Sequence, residues 1–157
     1  MAFQSTIYSS QALGKAGTIA RLNPIDKVPR VAEADVVAGG FLFPGTNAEL
    51  QVVGASSSTA SATAVAGVCV FEKYQWAATA GASLAVNPGE EVALVRSGYV
   101  YVISTTASTH GQVVGVDPAT GDIETANDAA SLSSGFIDTG WVVETGNAAG
   151  EVCEIRK

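Results

Sequence analysis

The feature that most constrains this chain is its punctuation. Short apolar or alternating segments are cut about every eight to twelve residues by Gly, Pro, Asn and Asp, and no window combines a helical period with matched caps. A chain cut this way can bury its apolar residues only by pairing short strands. The pattern therefore predicts an all-β fold, a small β-barrel or β-sandwich of about seven to nine short strands. Its 157 residues suffice for one domain that buries roughly 70% of its unfolded surface without disulfides or metal.

Gly40 to Phe43 and Glu49 to Val53 read as strands around a turn at Pro44 to Asn47. The Ser, Thr and Ala content of Gly54 to Gly67 predicts a loop whose Thr63 to Val65 end joins a strand. Val68 to Gln75 alternates imperfectly, which points to cover on both faces. Glu91 to Ser104 alternates on either side of Ser97-Gly98, a tight hairpin or a bulge. A turn at Asn87-Pro88-Gly89 precedes it. Val113 to Val116, the turn Asp117-Pro118-Ala119-Thr120-Gly121 and the residues up to Ala126 predict a hairpin. Gly140 to Glu144 and Gly150 to Arg156 supply the final strands.

The first thirty residues differ from this body. They hold four of the eight basic residues, Lys15, Arg21, Lys27 and Arg30, and one of the fifteen acids, Asp26. Four cations against one acid give +3, so the total of −7 leaves −10 on residues 31–157. The segment has no continuous apolar run and reads as an extended N-terminal arm over 1–30, trailing from a body over 31–157.

Charged residues are only 15% of the chain, and the acidic balance speaks against sequence-independent nucleic-acid binding, which needs clustered Lys and Arg. No secretion signal and no 18-residue apolar span are recognisable, so neither export nor a membrane is expected. Cys69 and Cys153 lie in β-rich runs without metal-ligand spacing. They read as two buried thiols, with a disulfide as the alternative.

Chemistry-bearing patterns are sparse. His110 is the sole histidine, in a loop-like STHGQ, and reads as a solvated group rather than a base or ligand. Gly81-Ala82-Ser83-Leu84-Ala85 lacks the second glycine of a nucleophile elbow. Asp117, Asp122 and Glu124 flank a turn without the spacing of a calcium loop, and Glu90 and Glu91 point to opposite faces of a strand. Phe71, Tyr74, Trp76, Tyr99 and Tyr101 suit a core or subunit interface better than a ligand platform. No catalytic, cofactor or metal residues are assigned.

The opening Met1-Ala2-Phe3-Gln4-Ser5-Thr6, followed by Gln11 to Gly17, resembles the structural cement, or capsid decoration, proteins of tailed bacteriophages. Ala34 to Phe43, the hairpin from Gly111 to Ala126 and the terminal GEVCEIR extend the likeness discontinuously, whereas 54–83 matches nothing recognisable. The resemblance implies a non-enzymatic protein without cofactor, made in the host cytoplasm and carried on the outer surface of the virion head. It implies bridging of major capsid protein subunits, and self-association, with a homotrimer favoured over a homodimer. Phe3, Ile7, Tyr8, Leu13, Ile19 and Leu22 would then be spaced apolar anchors, and Lys15, Arg21, Lys27 and Arg30 would meet acidic capsid or subunit surface. The alternatives are a carbohydrate- or surface-binding β-domain using Tyr74, Trp76 and the Ser/Thr-rich loop, and a small hydrolase centred on His110.

Overall fold

The computed structural model describes residues 14–55, 64–71 and 85–157. The described residues form eleven strands and one short 3-10 turn, Ala129–Ser131, and the fold is all-β.

Strand β7 (Glu91–Ile103), numbered like the others by chain order, is the axis. In its first half Val92 and Leu94 alternate with Ala93 and Val95, all buried, so both faces are apolar. A strand covered on both sides reads as a near-continuous apolar run. Its neighbours β5 (Gly67–Val70, GVCV) and β3 (Phe41–Pro44, FLFP) have the same character. That is why the alternation after Val68 is imperfect.

Strand β1 (Ile19–Ala32) runs antiparallel along β7, from Ile19 opposite Val100 to Val31 opposite Glu91. The end of β1 pairs in parallel with β4 (Gln51–Val53), β4 pairs with β3, β3 with β5, and β5 returns to β7. These pairings close a five-stranded ring. Ala32, Leu42, Val52, Cys69, Val92 and Leu94 cluster on its inside, joined by Val36 and Val86 from a two-stranded ribbon of β2 (Val36–Val37) and β6 (Ala85–Val86).

The second half of β7 leads into the rest of the sheet. It pairs with β11 (Val152–Arg156), followed by β10 (Ile137–Thr145), β8 (Val113–Val116) and β9 (Ile123–Ala126). Residues 104–106 cover the outer edge of β9: the Thr105 amide donates to the Ile123 carbonyl at 2.7 Å, and the Thr125 amide donates to Thr106 Oγ1 at 2.9 Å. A covered edge cannot template pairing with another chain. The inner face of this part, with Val100, Val114, Trp141, Val143 and Ile155, packs on outward-facing Phe41, Phe43, Val68, Val70 and Val95 of the ring.

The turns at Pro44 to Asn47, Asn87 to Gly89 and Asp117 to Gly121 fall between strands as expected, and Ser97-Gly98 is a bulge inside one strand, not a hairpin. The strands are more numerous than expected, and two are long, β1 with 14 residues and β7 with 13. The boundary expected at residue 30 lies inside β1, so residues 19–30 belong to the body. Two prolines make this stretch look unlike a strand. At the end of β1 the Val31 amide donates to Leu50, on the β4 side. Amides two residues apart point the same way, so the donor missing at Pro29 falls where β4 no longer runs alongside and nothing is left unpaired. Strand β5 ends at Val70, short of the strand expected from Val68 to Gln75; residues 72–75, like the loop end expected at Thr63, lie outside the described residues.

Both cysteines are free and buried. Burial pushes the Cys69 thiol up to about 12. The unfolded chain releases this proton near pH ~8.5, so above that pH the unfolded state binds fewer protons and stability falls as pH rises. Native protein at pH 9 is expected to resist a thiol-labelling reagent that modifies both cysteines in denaturant. Labelling of Cys69 at the rate of a free thiol in native protein would show that the ring interior is open.

Candidate functional site

The expected functional element is the N-terminal segment, and the structure describes its root. Phe3, Ile7, Tyr8 and Leu13 lie outside the described residues. From Gly14 the chain crosses the middle of the sheet. Lys15 is exposed, and its carbonyl accepts from the Thr18 amide at 3.0 Å and from Thr18 Oγ1 at 2.6 Å, which turns the chain into β1.

Gly17 fastens the crossing. Its amide donates to Tyr101 at 2.8 Å and its carbonyl accepts from Phe71 at 2.7 Å, while the Thr18 carbonyl accepts from Tyr101 at 3.0 Å. Gly17 has φ 81°, and a Cβ there would come within 2.7 Å of Ala38 Cβ and 2.8 Å of the Gly39 nitrogen. Glycine is required for both reasons: φ is positive and two backbones touch. Gly17→Val is expected to cost about 1–3 kcal/mol or more in urea unfolding and to speed amide exchange at Phe71 and Tyr101. Unchanged exchange at these amides would show that the crossing is not held here.

Ile19 is half-buried against the larger core. Arg21 is the best-connected candidate. Its Nε donates to Glu154 Oε1 at 2.8 Å, its Nη2 lies 3.4 Å from Glu144 Oε1, and its guanidinium sits 4.4 Å from the centroid of Tyr99. Arg156 Nε holds the other oxygen of Glu144 at 2.7 Å, and Thr145 Oγ1 donates to Glu154 at 3.0 Å. The hydrogen bond to Glu154 raises the Arg21 pKa further. Arg21 thus holds the root to β10 and β11.

The remaining candidates are scattered. Lys27 stands opposite Val95 on the exposed side of β1. Arg30 stands opposite Val92, and its Nη1 donates to the Pro29 carbonyl at 2.9 Å. Leu22 is 86% exposed. The structure therefore brings Arg21 to Glu144 and Glu154 and does not gather the four cations into a patch. Glu144, Glu154 and Arg156 are participants that sequence reasoning missed. The available signal was the alternation of Glu154 and Arg156 on one face of the last strand.

His110 is exposed, with Nδ1 2.8 Å from the Glu144 carbonyl oxygen. Among the described residues no group of three or more His, Cys, Asp or Glu is placed to hold a metal ion. Asp117 and Asp122 bond within their own turn, to the Ala119 amide and Thr120 Oγ1, and Glu124 is buried, accepting from the Ser133 amide and hydroxyl. Tyr74, Trp76 and residues 56–63, on which the carbohydrate-binding alternative rests, lie outside the described residues. No described helix is long and apolar enough to cross a membrane.

A family model described as structural cement protein (E217 gp24/Pam3 gp6) matches residues 3–157. A chain of the solved structure "The capsid of Myoviridae Phage XM1" superposes with a TM-score of 0.64 at 14% identity, covering 99% of this chain and 97% of that one. A chain of "The crystal structure of head fiber gp8.5 N base in bacteriophage phi29" gives 0.51 at 12% identity, covering 84% and 92%. At these identities the likeness is one of fold. None of the curated proteins matches.

Proposed function

This chain belongs to the structural cement protein family, and from that premise we propose that it is a non-enzymatic decoration protein of a tailed-phage head. It docks on the outer surface of the assembled head and bridges neighbouring major capsid protein subunits. The observation that carries the reading is the construction of the N-terminal root: a family match from residue 3 onward, on a chain whose residues 14–21 are tied by main-chain bonds to the central strand and by the Arg21 ion pairs to β10 and β11.

A clamp has to transmit force. Residues 1–13 are followed directly by a root anchored on β7, so tension applied through them reaches the body through hydrogen bonds. Ordering such a segment on a partner costs ~1–2 kcal/mol of backbone entropy per residue. Phe3, Ile7, Tyr8 and Leu13 supply apolar contacts, and main-chain pairing with a capsid sheet edge supplies the rest. Lys15 meets acidic shell surface. Many copies on one head turn modest single-site affinity into a large collective effect. Copies are made in the host cytoplasm and join the head as homotrimers.

The test is addition of purified protein to expanded heads that lack it. Saturable cosedimentation and greater resistance of the decorated heads to heat are expected. Protein that stays in the supernatant at micromolar concentration would refute the reading.

A further inference from the structure

Between Arg21, opposite Tyr99, and Asp26, opposite Ser97, β1 carries four residues where β7 carries Gly98 alone. The excess is expelled as a bulge. Gly98, at φ 134°, admits it: a Cβ there would stand 3.1 Å from the Pro24 carbonyl oxygen. Leu22 projects from this bulge at 86% exposure. Its base is held on one side by the Arg21 ion pairs and on the other by Arg96 with Asp26 at 2.8 Å. Around it Arg21, Arg96 and Arg156 are about half exposed, with side-chain values of 48%, 51% and 46%, as is Asp26 at 47%, whereas Glu144 and Glu154 are recessed at 21% and 7%. The surface presented is an apolar tip ringed by three guanidinium groups and one exposed carboxylate, on a chain whose net charge is −7.

A complementary concavity exists elsewhere on the same chain. An open groove of about 450 Å³ lies between the turn over 37–40, the end of β7 and the tip of the β8–β9 hairpin. Val37 and Ile103 line it and are both about half exposed. Asp35 lines it as well, and Asp122 follows its lining residue Gly121. A buried apolar anchor with a charged rim is the usual anatomy of a specific interface.

We propose that the bulge of one copy inserts Leu22 into the groove of the next, between Val37 and Ile103, with its arginines facing Asp35 and Asp122. Tip and groove are different surfaces of one chain, and the proposed contact is head-to-tail, the kind that forms a ring of copies when its rotation closes. The proposal goes beyond docking on the capsid and stands or falls independently of head binding.

Sedimentation velocity of the full chain is the test. Wild-type protein is expected to sediment as a closed oligomer. Leu22→Asp, which removes the tip, and Ile103→Asp, which fills the groove with charge, are each expected to give monomers that melt like wild type. Val37→Asp replaces Ile103→Asp if the latter lowers the melting temperature. A mixture of the tip and groove variants should form dimers, because the intact groove of one accepts the intact tip of the other. The inference is overturned if wild type is monomeric at 100 µM or if Leu22→Asp keeps the wild-type oligomer. It is equally overturned if the mixture stays monomeric. Leu22→Asp that loses head binding while keeping its oligomer would assign the tip to the shell instead.

Discussion

Deleting residues 1–13 is expected to leave the melting temperature essentially unchanged and to lower affinity for expanded heads at least tenfold, whereas deleting residues 1–30 unfolds the protein. The two truncations differ by Gly14 to Arg30. The shorter one keeps the described fastenings of the root, the Gly17 and Thr18 bonds to β7 and the Arg21 pairs to Glu144 and Glu154. The longer one removes all of β1 except Val31 and Ala32, and with it the pairing with β7 from Ile19 opposite Val100 to Arg30 opposite Val92, leaving two residues to bridge β4 and β7. A long apolar edge of β7 is then left unpaired. Circular dichroism and thermal melting read the fold, and cosedimentation reads the clamp. A 1–13 deletion that binds heads like wild type would take the clamp away from that segment. A 1–30 deletion that melts like wild type would show that β1 does not hold the ring.

Trp141→Ala is expected to cost about 3–5 kcal/mol, and Trp141→Phe much less, within about 1–2 kcal/mol of wild type. Trp141 is fully buried at the junction of the ring and the outer strands, where its ring meets Phe41 edge-on with centroids 6.4 Å apart. Truncation removes that contact and leaves a cavity that two packed sheet faces cannot close. The indole Nε1 has no hydrogen-bond partner among the described residues. Leaving a buried donor unpaired costs roughly 1–3 kcal/mol, and phenylalanine removes the donor, so the loss of contact area is partly offset. Urea unfolding of the three proteins measures both differences. Equal costs for the Ala and Phe variants would mean that the indole nitrogen is bonded and that the junction depends on polarity rather than volume.

The hairpin from Val113 to Ala126 was legible because its turn residues have few alternatives: Asp117 bonds the Ala119 amide and Gly121 takes φ 84°. The strands after Gly40, Glu91 and Gly150 were legible because β-branched and aromatic residues between turn signals have little else to form. The membership of 19–30 was not, since two prolines and four charged residues describe a strap equally well. The pairing of Ile19 to Val31 with β7 settles it, and the direction of the missing Pro29 amide explains how the strand tolerates that proline. The root was half legible. Its glycine and cations are visible in the sequence, but Arg21 lies 123 and 133 residues from its partners Glu144 and Glu154.

The class and the punctuation of this protein follow from local residue pattern alone. Gly, Pro and Asx residues act through local backbone sterics and short-range hydrogen bonds, which need no knowledge of distant chain. Which strands meet is a matter of long-range packing: β7 serves both parts of the sheet, β1 closes the ring, and Arg21 finds carboxylates on β10 and β11. Those outcomes depend on matching two apolar faces of the same strands to two different cores. Alternation along one segment reports only that a face is apolar, not what covers it.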